Sequence, residues 1–457
     1  MKKISLCWFR RDLRIEDQTA LFYALQQEEQ VLPLFIFDRH ILDALEDKTD
    51  ARVTFIYQQI ASLKAFFEKQ GSSMLVKYGH PEQIFQELVQ EFEVQTVYTN
   101  RDYEPYAQSR DAQVEALLAK KNIPFLTFKD QVIFEPGEIL NGSGEFYKVF
   151  TPFSRNWLEK FRQTRVQPLP EANWKNLFPC SPLPFITLSE MGFEASSLEI
   201  PSTQVEDAIL KEYEAQRNFP AVRGTSRLGI HLRFGTVSIR GLALKAASLN
   251  ATYLNELIWR EFYMMILGHA PQVVDRAFKP QYDRIPWRTN EEDFQAWCEG
   301  RTGYPIVDAG MRQLWRIGWM HNRVRMITAS FLVKHLLQPW QAGQAWFWDT
   351  LVDADLAANS ASWQWVAGCG ADAAPYFRIF NPVLQGEKFD PEGDYIRTWC
   401  PELAKLPARF IHKPFEAPEM ILRGAGVTLG GTYPKPVIGL AEGRARALAA
   451  FAGLRSG

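Results

Sequence analysis

The sequence GWMHNRVRM occupies residues 318–326 and has the spacing of one helical face. Trp319, Asn322 and Met326 are separated by three and four residues, and side chains at those spacings lie on the same side of a helix. We therefore predict a helix whose face presents an indole, an amide and a thioether together.

The sequence DADLAANSASWQW occupies residues 353–365 and predicts a second face of this kind. Asp355, Asn359 and Trp363 follow one another at intervals of four residues. An acid and amides beside indoles are too polar for an ordinary core. The two stretches together favour a pocket for a flat, hydrogen-bonding, redox-active ligand. The alternative is a pair of amphipathic helices with buried tryptophans.

The composition is that of a globular protein with two or three domains. The chain has 457 residues, of which 46% are hydrophobic and 23% charged. The net charge is −2, yet residues 217–240 contain five arginines and no acid, and residues 301–335 contain six basic residues and one acid. This local excess of cations favours a phosphate-bearing ligand, a nucleic acid or both. The alternative for any single arginine is a solvated helix face.

The cysteines and the first residues predict a reduced, cytoplasmic protein. The five cysteines are scattered, odd in number and form no CxxC pair, so they indicate neither a disulfide framework nor a zinc site. The start of the chain has no apolar segment before a small-residue cleavage site. No run of about 18 apolar residues occurs, so we expect no contact with a membrane.

Short apolar runs alternate with longer helical stretches near the start of the chain. The predicted strands lie at residues 4–9, 31–37, 74–78, 96–99 and 124–128. This alternation indicates βαβ units and an α/β domain with a doubly wound parallel sheet. Ligands of such sheets bind beyond the carboxyl ends of the strands, where this chain has Arg10, Asp38, Gly79 and Asn100. The first strand is not followed by GxGxxG, so the standard dinucleotide fingerprint is absent.

We divide the chain into three parts. Residues 1–130 are the α/β domain. Residues 131–204 contain many prolines and turn signals, so we expect a long connector on the surface. Residues 205–457 show helical periodicity and little β-branched alternation, which predicts an all-α domain.

The sequence GTSRL at residues 224–228 is the strongest candidate for a phosphate site. Its glycine permits close backbone approach, and Thr225 or Ser226 would cap a helix whose free N–H groups attract an anion. Arg227 adds a positive charge. Residues 353–359 contain acids and an amide, but they lack the EF-hand spacing, a turn glycine and a nearby histidine. We therefore predict no metal site.

The sequence NELIWREF at residues 255–262 predicts a helix on which Glu256 and Trp259 lie one turn apart. A carboxylate beside an indole can hydrogen-bond and stack a nucleobase. The alternative is an amphipathic helix with a buried tryptophan and a solvated glutamate.

Together, these motifs resemble those of the photolyase/cryptochrome family. The matching blocks span nearly the whole chain in order, and the ordered set is far more specific than any one block. They are WFRRDLR at 8–14, GTSRL at 224–228, ELIWREFY at 256–263, GYPIVDA at 303–309, the stretches at 318–326 and 353–365, and AAPYFRIFNP at 373–382. The chain is most similar to the class I cyclobutane pyrimidine dimer photolyases.

This resemblance implies that the all-helical domain binds FAD. By similarity, the residues that hold the FAD phosphates are Tyr213, Thr225, Ser226, Arg227 and Leu228. Those that surround the isoalloxazine and its linker are Arg260, Asn322, Arg325, Asp353 and Asp355. Arg325 and Asp353 would form a buried ion pair, and Asp355 would meet the ring edge. Asn359 would lie beside flavin N5, where plant cryptochromes carry an acid, so it favours repair over signalling.

The resemblance also implies a substrate in UV-damaged DNA, double or single stranded. A cyclobutane pyrimidine dimer would flip into a pocket, because a stacked dimer cannot come close enough to the flavin. The residues that match the pocket walls and would contact the flipped dimer are Glu256, Trp259, Asn322, Met326 and Trp365. We expect the first four to take part in catalysis. The residues that match contacts to DNA phosphates are Arg217, Arg323 and Arg378.

A chain of tryptophans would reduce the FAD after light absorption. By similarity its members are Trp363, Trp340 and Trp287, and indole suits the role because it oxidises reversibly. The alternative for Trp340 and Trp287 is simple packing. A second, light-harvesting chromophore of the folate or deazaflavin type would bind the N-terminal domain. Tyr106-Ala107 stands where a folate site would have an Asn-Glu pair, so the sequence does not identify this chromophore.

The implied function is light-driven DNA repair, in which excited reduced FAD donates an electron to the dimer and recovers it after the ring splits. One alternative is a cryptochrome-like blue-light photoreceptor. Another is a (6-4) photolyase, which would need a pair of histidines in the pocket. A third is a generic electron-transfer flavoprotein without preference for damaged DNA. We expect a monomer, because no coiled-coil heptad is present.

Overall fold

A computed structural model describes residues 2–455, and the chain divides into two compact units. Unit 1 comprises residues 1–140, 155–204 and 227–248, and unit 2 comprises residues 141–154, 205–226 and 249–457. Each unit is therefore assembled from segments that are distant in sequence. Among residues 2–455, no helix combines the length and the hydropathy needed to cross a bilayer.

Unit 1 contains a five-stranded sheet with the order β3-β2-β1-β4-β5. The strands are β1 Lys3–Phe9, β2 Val31–Asp38, β3 Leu75–Gly79, β4 Glu93–Asn100 and β5 Phe125–Phe128. Every neighbouring pair is parallel. The strand order reverses at β1, which is the mark of a doubly wound sheet. The prediction of fold class is confirmed, with small differences at the strand ends.

Pro33 lies inside β2 although proline lacks the N–H that a strand donates. On one side Pro33 is in register with Cys7 of β1. On the other side the pairing with β3 begins only at Leu34, opposite Leu75. In a parallel sheet, successive residues of one strand donate their N–H groups to opposite neighbouring strands. The missing N–H therefore costs the sheet no bond, and the strand forms.

The rest of the chain is mostly helical. In chain order the helices are α1 Thr19–Gln27, α2 Arg39–Leu42, α3 Ala51–Lys69, α4 Pro81–Glu91, α5 Pro105–Ala119, α6 Phe150–Gln163, α7 Asp207–Lys211, α8 Tyr213–Gln216, α9 Gly229–Phe234, α10 Ile239–Leu249, α11 Ala251–His269, α12 Glu291–Cys298, α13 Pro305–Ile317, α14 Asn322–Ser330, α15 Trp340–Thr350, α16 Leu356–Ala367, α17 Pro382–Phe389, α18 Asp394–Trp399, α19 Ala408–Ile411, α20 Glu419–Ala425 and α21 Leu440–Ala452. A π-helical turn, Phe331–His335, extends α14. Between these helices lie short 3₁₀ turns.

Helix α6 occupies part of the segment that the sequence predicted as an irregular connector. Pro152 led to that prediction, but it lies in the first turn of α6. A proline is tolerated there because the first N–H groups of a helix have no partner within the helix. Phe150, Phe153 and Trp157 are buried. Their spacing of three and four residues is the signal that would have predicted this helix.

Candidate functional site

A cavity of about 380 Å³ lies in unit 2, within the size range of small-molecule sites. Its walls come from α11, α14, α15 and α16 and from the loop before α16. Most of the residues predicted from the sequence line it together. They are Arg217, Glu256, Trp259, Asn322, Arg323, Arg325, Met326, Asp353, Asp355, Asn359, Trp363 and Trp365.

The first predicted face is correct for two of its three residues. Helix α14 begins at Asn322, and the ring of the N-cap residue His321 accepts a hydrogen bond from the backbone N–H of Arg323 at 3.2 Å. Asn322 and Met326 are one turn apart and both line the cavity. The prediction for Trp319 was wrong, because Trp319 lies in the turn before the helix and does not line the cavity.

The second predicted face is correct throughout. The carboxylate of Asp355 caps α16 by accepting a hydrogen bond from the backbone N–H of Ala358 at 3.1 Å. Asn359 and Trp363 follow one and two turns later, and all three line the cavity. The Nδ2 of Asn359 donates to the backbone carbonyl of Gln344 at 3.0 Å. This bond holds the amide of Asn359 in one orientation at the cavity wall.

Arg325 and Asp353 form the ion pair that the sequence predicted. Nη2 of Arg325 lies 3.0 and 2.9 Å from the two carboxylate oxygens of Asp353. Nε of Arg325 donates to the backbone carbonyl of Met320 at 2.7 Å, which fixes the guanidinium plane. Their side chains are only 24% and 10% exposed, so solvent screens the pair incompletely. The pair places a fixed positive charge and a fixed negative charge at the cavity wall.

Glu256 is paired with Arg217 at the cavity wall. Nη1 of Arg217 lies 2.5 Å from Oε1 of Glu256, and both side chains are about three-quarters buried. Arg217 was predicted to contact a DNA phosphate, and the structure gives it this second partner. The guanidinium balances the negative charge of the carboxylate and fixes the direction of its oxygens.

Trp259 is held by an aromatic partner that the sequence analysis missed. The indole of Trp259 stacks on the ring of Phe150, with centroids 3.6 Å apart and planes inclined by 6°. Phe150 therefore covers one face of the indole. The rest of the Trp259 side chain forms part of the cavity wall. Phe150 is distant in sequence from Trp259, so no local pattern could have paired them.

The three arginines that match DNA-phosphate contacts influence one another. Burial lowers the pKa of Arg323, and the positive charges of Arg217 and Arg378 lower it further. The guanidinium of Arg323 donates to Oδ1 of Asn218 at 2.7 Å. The guanidinium of Arg378 lies 5.8 Å from the ring centroid of Trp365. Mutually repelling cations beside a cavity favour an anionic ligand such as phosphate.

The GTSRL segment does not form the helix cap that the sequence predicted. Helix α9 begins at Gly229, after the segment ends, and its N-cap Leu228 makes no side-chain hydrogen bond. The hydroxyl of Tyr253 donates to Oγ of Ser226 at 2.9 Å, and the ring of Tyr213 meets that of Tyr253 edge-on at 5.0 Å. The residues predicted to bind FAD that do not line the cavity are Tyr213, Thr225, Ser226, Arg227, Leu228 and Arg260. Their roles stay predictions.

The three predicted relay tryptophans belong to one apolar core. Trp363 lines the cavity, Trp340 is buried in the same core, and Trp287 packs half-buried against it. Helix α15, which begins at Trp340, approaches Trp363 through Gly343. A Cβ atom at position 343 would lie 2.2 Å from Cη2 of Trp363. The absence of a side chain therefore lets the indole of Trp363 pack directly on the helix that carries Trp340.

Replacing Gly343 with alanine is expected to destabilise the protein by about 1–3 kcal/mol, because the added methyl group overpacks the core against Trp363. The midpoint of chemical denaturation measures this change. The matched control is Gly424→Ala in α20, where nothing lies within 4 Å of the added Cβ. That substitution is expected to stabilise by up to about 1 kcal/mol through helix propensity. Equal midpoints for the two variants would contradict this packing argument.

Comparison with family models supports the same assignment along the chain. Residues 5–173 match the model described as DNA photolyase. Residues 253–453 match the model described as the FAD binding domain of DNA photolyase. The second match contains most of the cavity walls and identifies FAD as the cofactor.

Comparison with individual proteins extends the similarity to full length. The chain is 41% identical to the deoxyribodipyrimidine photo-lyase of Agrobacterium fabrum, over 98% of both chains. It is 40% identical to the protein of that name from Escherichia coli, over 99% of both. The crystal structure of a bacterial class III photolyase from Agrobacterium tumefaciens superposes with a TM-score of 0.88 at 37% identity, covering 100% of this chain and 98% of that one. The chain therefore belongs to the DNA photolyase family, in which an α/β domain is joined to a helical FAD-binding domain.

Proposed function

We propose that this protein is a deoxyribodipyrimidine photo-lyase, a carbon–carbon lyase that uses light to split cyclobutane pyrimidine dimers in DNA. One observation carries the proposal. The residues predicted to contact the flavin, such as Asp355 and Asn359, and those predicted to contact the lesion, such as Glu256 and Met326, line the same cavity. A cofactor and a flipped dimer held in one cavity are close enough for direct electron transfer.

The donor set of the cavity is suited to a flavin. Asp353 is neutralised by Arg325, so this carboxylate adds no unbalanced negative charge beside a reduced, negatively charged ring. Asp355 is held by its cap bond and lines the cavity, so its carboxylate would accept a hydrogen bond from a ring N–H of the flavin. Asn359 presents an amide whose orientation is fixed. When bound, reduced FAD supplies the electron that opens the dimer, after excitation by light.

The lesion end of the cavity combines an indole, a carboxylate and a thioether. Trp259 is locked by its stack on Phe150 and provides a rigid apolar wall for a base. Glu256, with its charge balanced by Arg217, accepts a hydrogen bond from an imino N–H of a flipped pyrimidine. Met326 adapts to the irregular shape of the fused rings.

Replacing Arg323 with alanine is expected to weaken binding to damaged and undamaged DNA alike, because a phosphate contact carries no sequence information. The slope of log K against log salt concentration should decrease by about 0.9, the value for one phosphate contact on duplex DNA. Fluorescence anisotropy across a salt series measures both quantities. The control is Arg423→Ala, since Arg423 is exposed and pairs with Glu419 on α20. An unchanged salt slope would remove Arg323 from the DNA interface.

The cavity favours a cyclobutane dimer over a (6-4) photoproduct as substrate. No histidine is among the described residues that line it, and Met326 occupies the wall where a (6-4) enzyme would need an acid. His321 is buried, and its ring caps α14 instead.

The test of this choice uses two oligonucleotides that differ only in their single lesion. We expect illumination of the reduced protein to restore the oligonucleotide with the cyclobutane dimer and to leave the (6-4) photoproduct intact. Restoration of the (6-4) photoproduct alone would overturn the assignment of substrate. Restoration of neither lesion would favour a photoreceptor.

We further propose finer features that the sequence predicted. The chain resembles class I enzymes in its motifs, it acts as a monomer on double- or single-stranded DNA, and it works in the cytoplasm. All five cysteines are free thiols, as a reducing compartment maintains them. The domain limits proposed are 1–130, 131–204 and 205–457. The first of these domains would bind a second chromophore of the folate or deazaflavin type.

A further inference from the structure

The carboxyl ends of β2 and β3 bring His40, His80 and Glu82 together in unit 1. The last residue of β2, Asp38, is in register with the last residue of β3, Gly79, so the segments that follow emerge side by side. One ring nitrogen of each histidine and one carboxylate oxygen of Glu82 all lie within 4.8 Å of one another. The imidazole centroids are 4.2 Å apart, and Nε2 of His40 lies 3.4 Å from Oε1 of Glu82.

This part of the sheet edge is accessible to solvent, whereas the neighbouring part is filled by the protein. At the ends of β1 and β4, Nδ2 of Asn100 donates to the carboxylate of Asp12 at 2.6 Å, and both residues are buried. His40 is exposed, and His80 and Glu82 are half-buried. A small ion can therefore reach the three side chains without any rearrangement of the core.

The hydrogen-bonding capacity of the cluster is only partly used within the protein, by the contact between His40 and Glu82. Nδ1 of His80 is buried and has no hydrogen-bond partner among the described residues. This ring nitrogen is therefore available to a ligand. Each neutral imidazole offers one lone pair beside its one N–H, and the carboxylate of Glu82 offers several lone pairs, so the acceptors of the cluster outnumber its donors. A cation is the partner that satisfies all three side chains at once.

We propose that His40, His80 and Glu82 bind one divalent transition-metal ion, of which Zn²⁺ is the best match. Two imidazoles and a carboxylate are a ligand set that zinc uses, whereas Mg²⁺ and Ca²⁺ prefer oxygen ligands alone. Zinc–nitrogen bonds of about 2.0–2.1 Å require the ligand atoms to move closer together. The exposed side chain of His40 on the short helix α2 permits that movement. Three protein ligands leave one position for water or for another molecule at this edge.

The sequence analysis predicted no metal site because the ligands do not form a local motif. His40 and His80 lie on different crossovers of the sheet, and only the adjacency of β2 and β3 brings them together. Glu82 lies in the first turn of α4, two residues after His80. The FAD cavity belongs to unit 2, so metal binding and light-driven repair can be measured independently.

Equilibrium dialysis of the untagged, full-length, FAD-containing protein against Zn²⁺ tests the proposal, after bound metal has been removed with a chelator. We expect one zinc per chain, and affinity at least about 10-fold weaker in His40→Ala and in His80→Ala. The matched control is His269→Ala, because His269 is an exposed histidine of unit 2. The control should bind zinc as the parent does. FAD content and far-UV circular dichroism should be the same in all four proteins.

Cobalt distinguishes this site from a cysteine site. Co²⁺ bound by imidazoles and a carboxylate gives only weak d–d bands in the difference spectrum, whereas thiolate ligands add an intense charge-transfer band. We expect the weak bands alone, lost in His80→Ala. A thiolate band, unchanged zinc affinity in both histidine variants, or no stoichiometric binding to the parent protein would each overturn the proposal.

Discussion

Replacing Glu256 with alanine is expected to lower dimer repair per absorbed photon by roughly 10-fold or more, while FAD stays bound. Glu256 lines the cavity, and its carboxylate is held by Arg217 at 2.5 Å. Hydrogen bonds that involve a charged group contribute about 1.5–3 kcal/mol, which corresponds to roughly 10- to 150-fold in rate. Loss of these bonds leaves the reacting dimer less stabilised, so the electron returns before the ring has opened.

The quantum yield of repair, measured from the recovery of thymine absorbance, tests this prediction. The matched control is Glu214→Ala, because Glu214 is an exposed acid on the neighbouring helix α8. The control should repair as the parent does. An unchanged quantum yield in Glu256→Ala would exclude Glu256 from the reaction.

A double-mutant cycle tests whether Arg217 and Glu256 act together in repair. A variant that lacks only Glu256 leaves the guanidinium of Arg217 partly buried without its carboxylate. If the pair acts as one unit, the double variant Arg217→Ala/Glu256→Ala should lose less quantum yield, on a free-energy scale, than the sum of the losses in the two single variants. Additive losses would mean that the two residues contribute to repair independently.

Replacing Trp363 with phenylalanine is expected to slow the light-driven reduction of bound FAD by at least about 10-fold. Trp363 lines the cavity and also belongs to the apolar core that contains Trp340. Phenylalanine fills most of the same space, but its ring is much harder to oxidise than indole. Each 1.36 kcal/mol added to the barrier slows the transfer tenfold. The first step of the predicted relay would therefore be lost without a large change in packing.

Absorbance of the oxidised flavin under blue light, with a soluble electron donor present, measures this effect. The control is Trp315→Phe, since the indole of Trp315 is 70% exposed on α13 and does not line the cavity. Repair by chemically reduced Trp363→Phe should stay close to that of the parent, because the relay serves reduction and not ring opening. Fast photoreduction in Trp363→Phe would mean that electrons reach the flavin by another route.

Much of the fold was predictable because its signals are local. The five apolar runs and the helices between them gave the parallel sheet, since each strand has its own short hydrophobic run. The prolines of residues 131–204 predict an irregular connector, whereas Pro152 lies in the first turn of α6, where a proline is compatible with a helix. The four-residue spacing of Phe153 and Trp157, both of which are buried, was the better signal for a helix.

The candidate site was predictable where its residues share a helix face. Asp355, Asn359 and Trp363 were placed correctly because Asp355 caps α16 and the other two lie within it. Trp319 was misplaced because Gly318, with φ of 60°, ends α13 and the next helix begins only at Asn322. The stack of Phe150 on Trp259 was not predictable, because the two residues are far apart in sequence and only the tertiary fold brings them together.

The most direct test of the proposed function is repair of UV-irradiated oligothymidine by the purified protein under reducing conditions, in blue light and in the dark. We predict that thymine absorbance recovers only in the light and that bound FAD is the same before and after the reaction. Such recovery would establish that the shared cavity works as a photolyase site. Bound FAD with no recovery in the light would contradict the account and would favour a photoreceptor or an enzyme that acts on a different lesion.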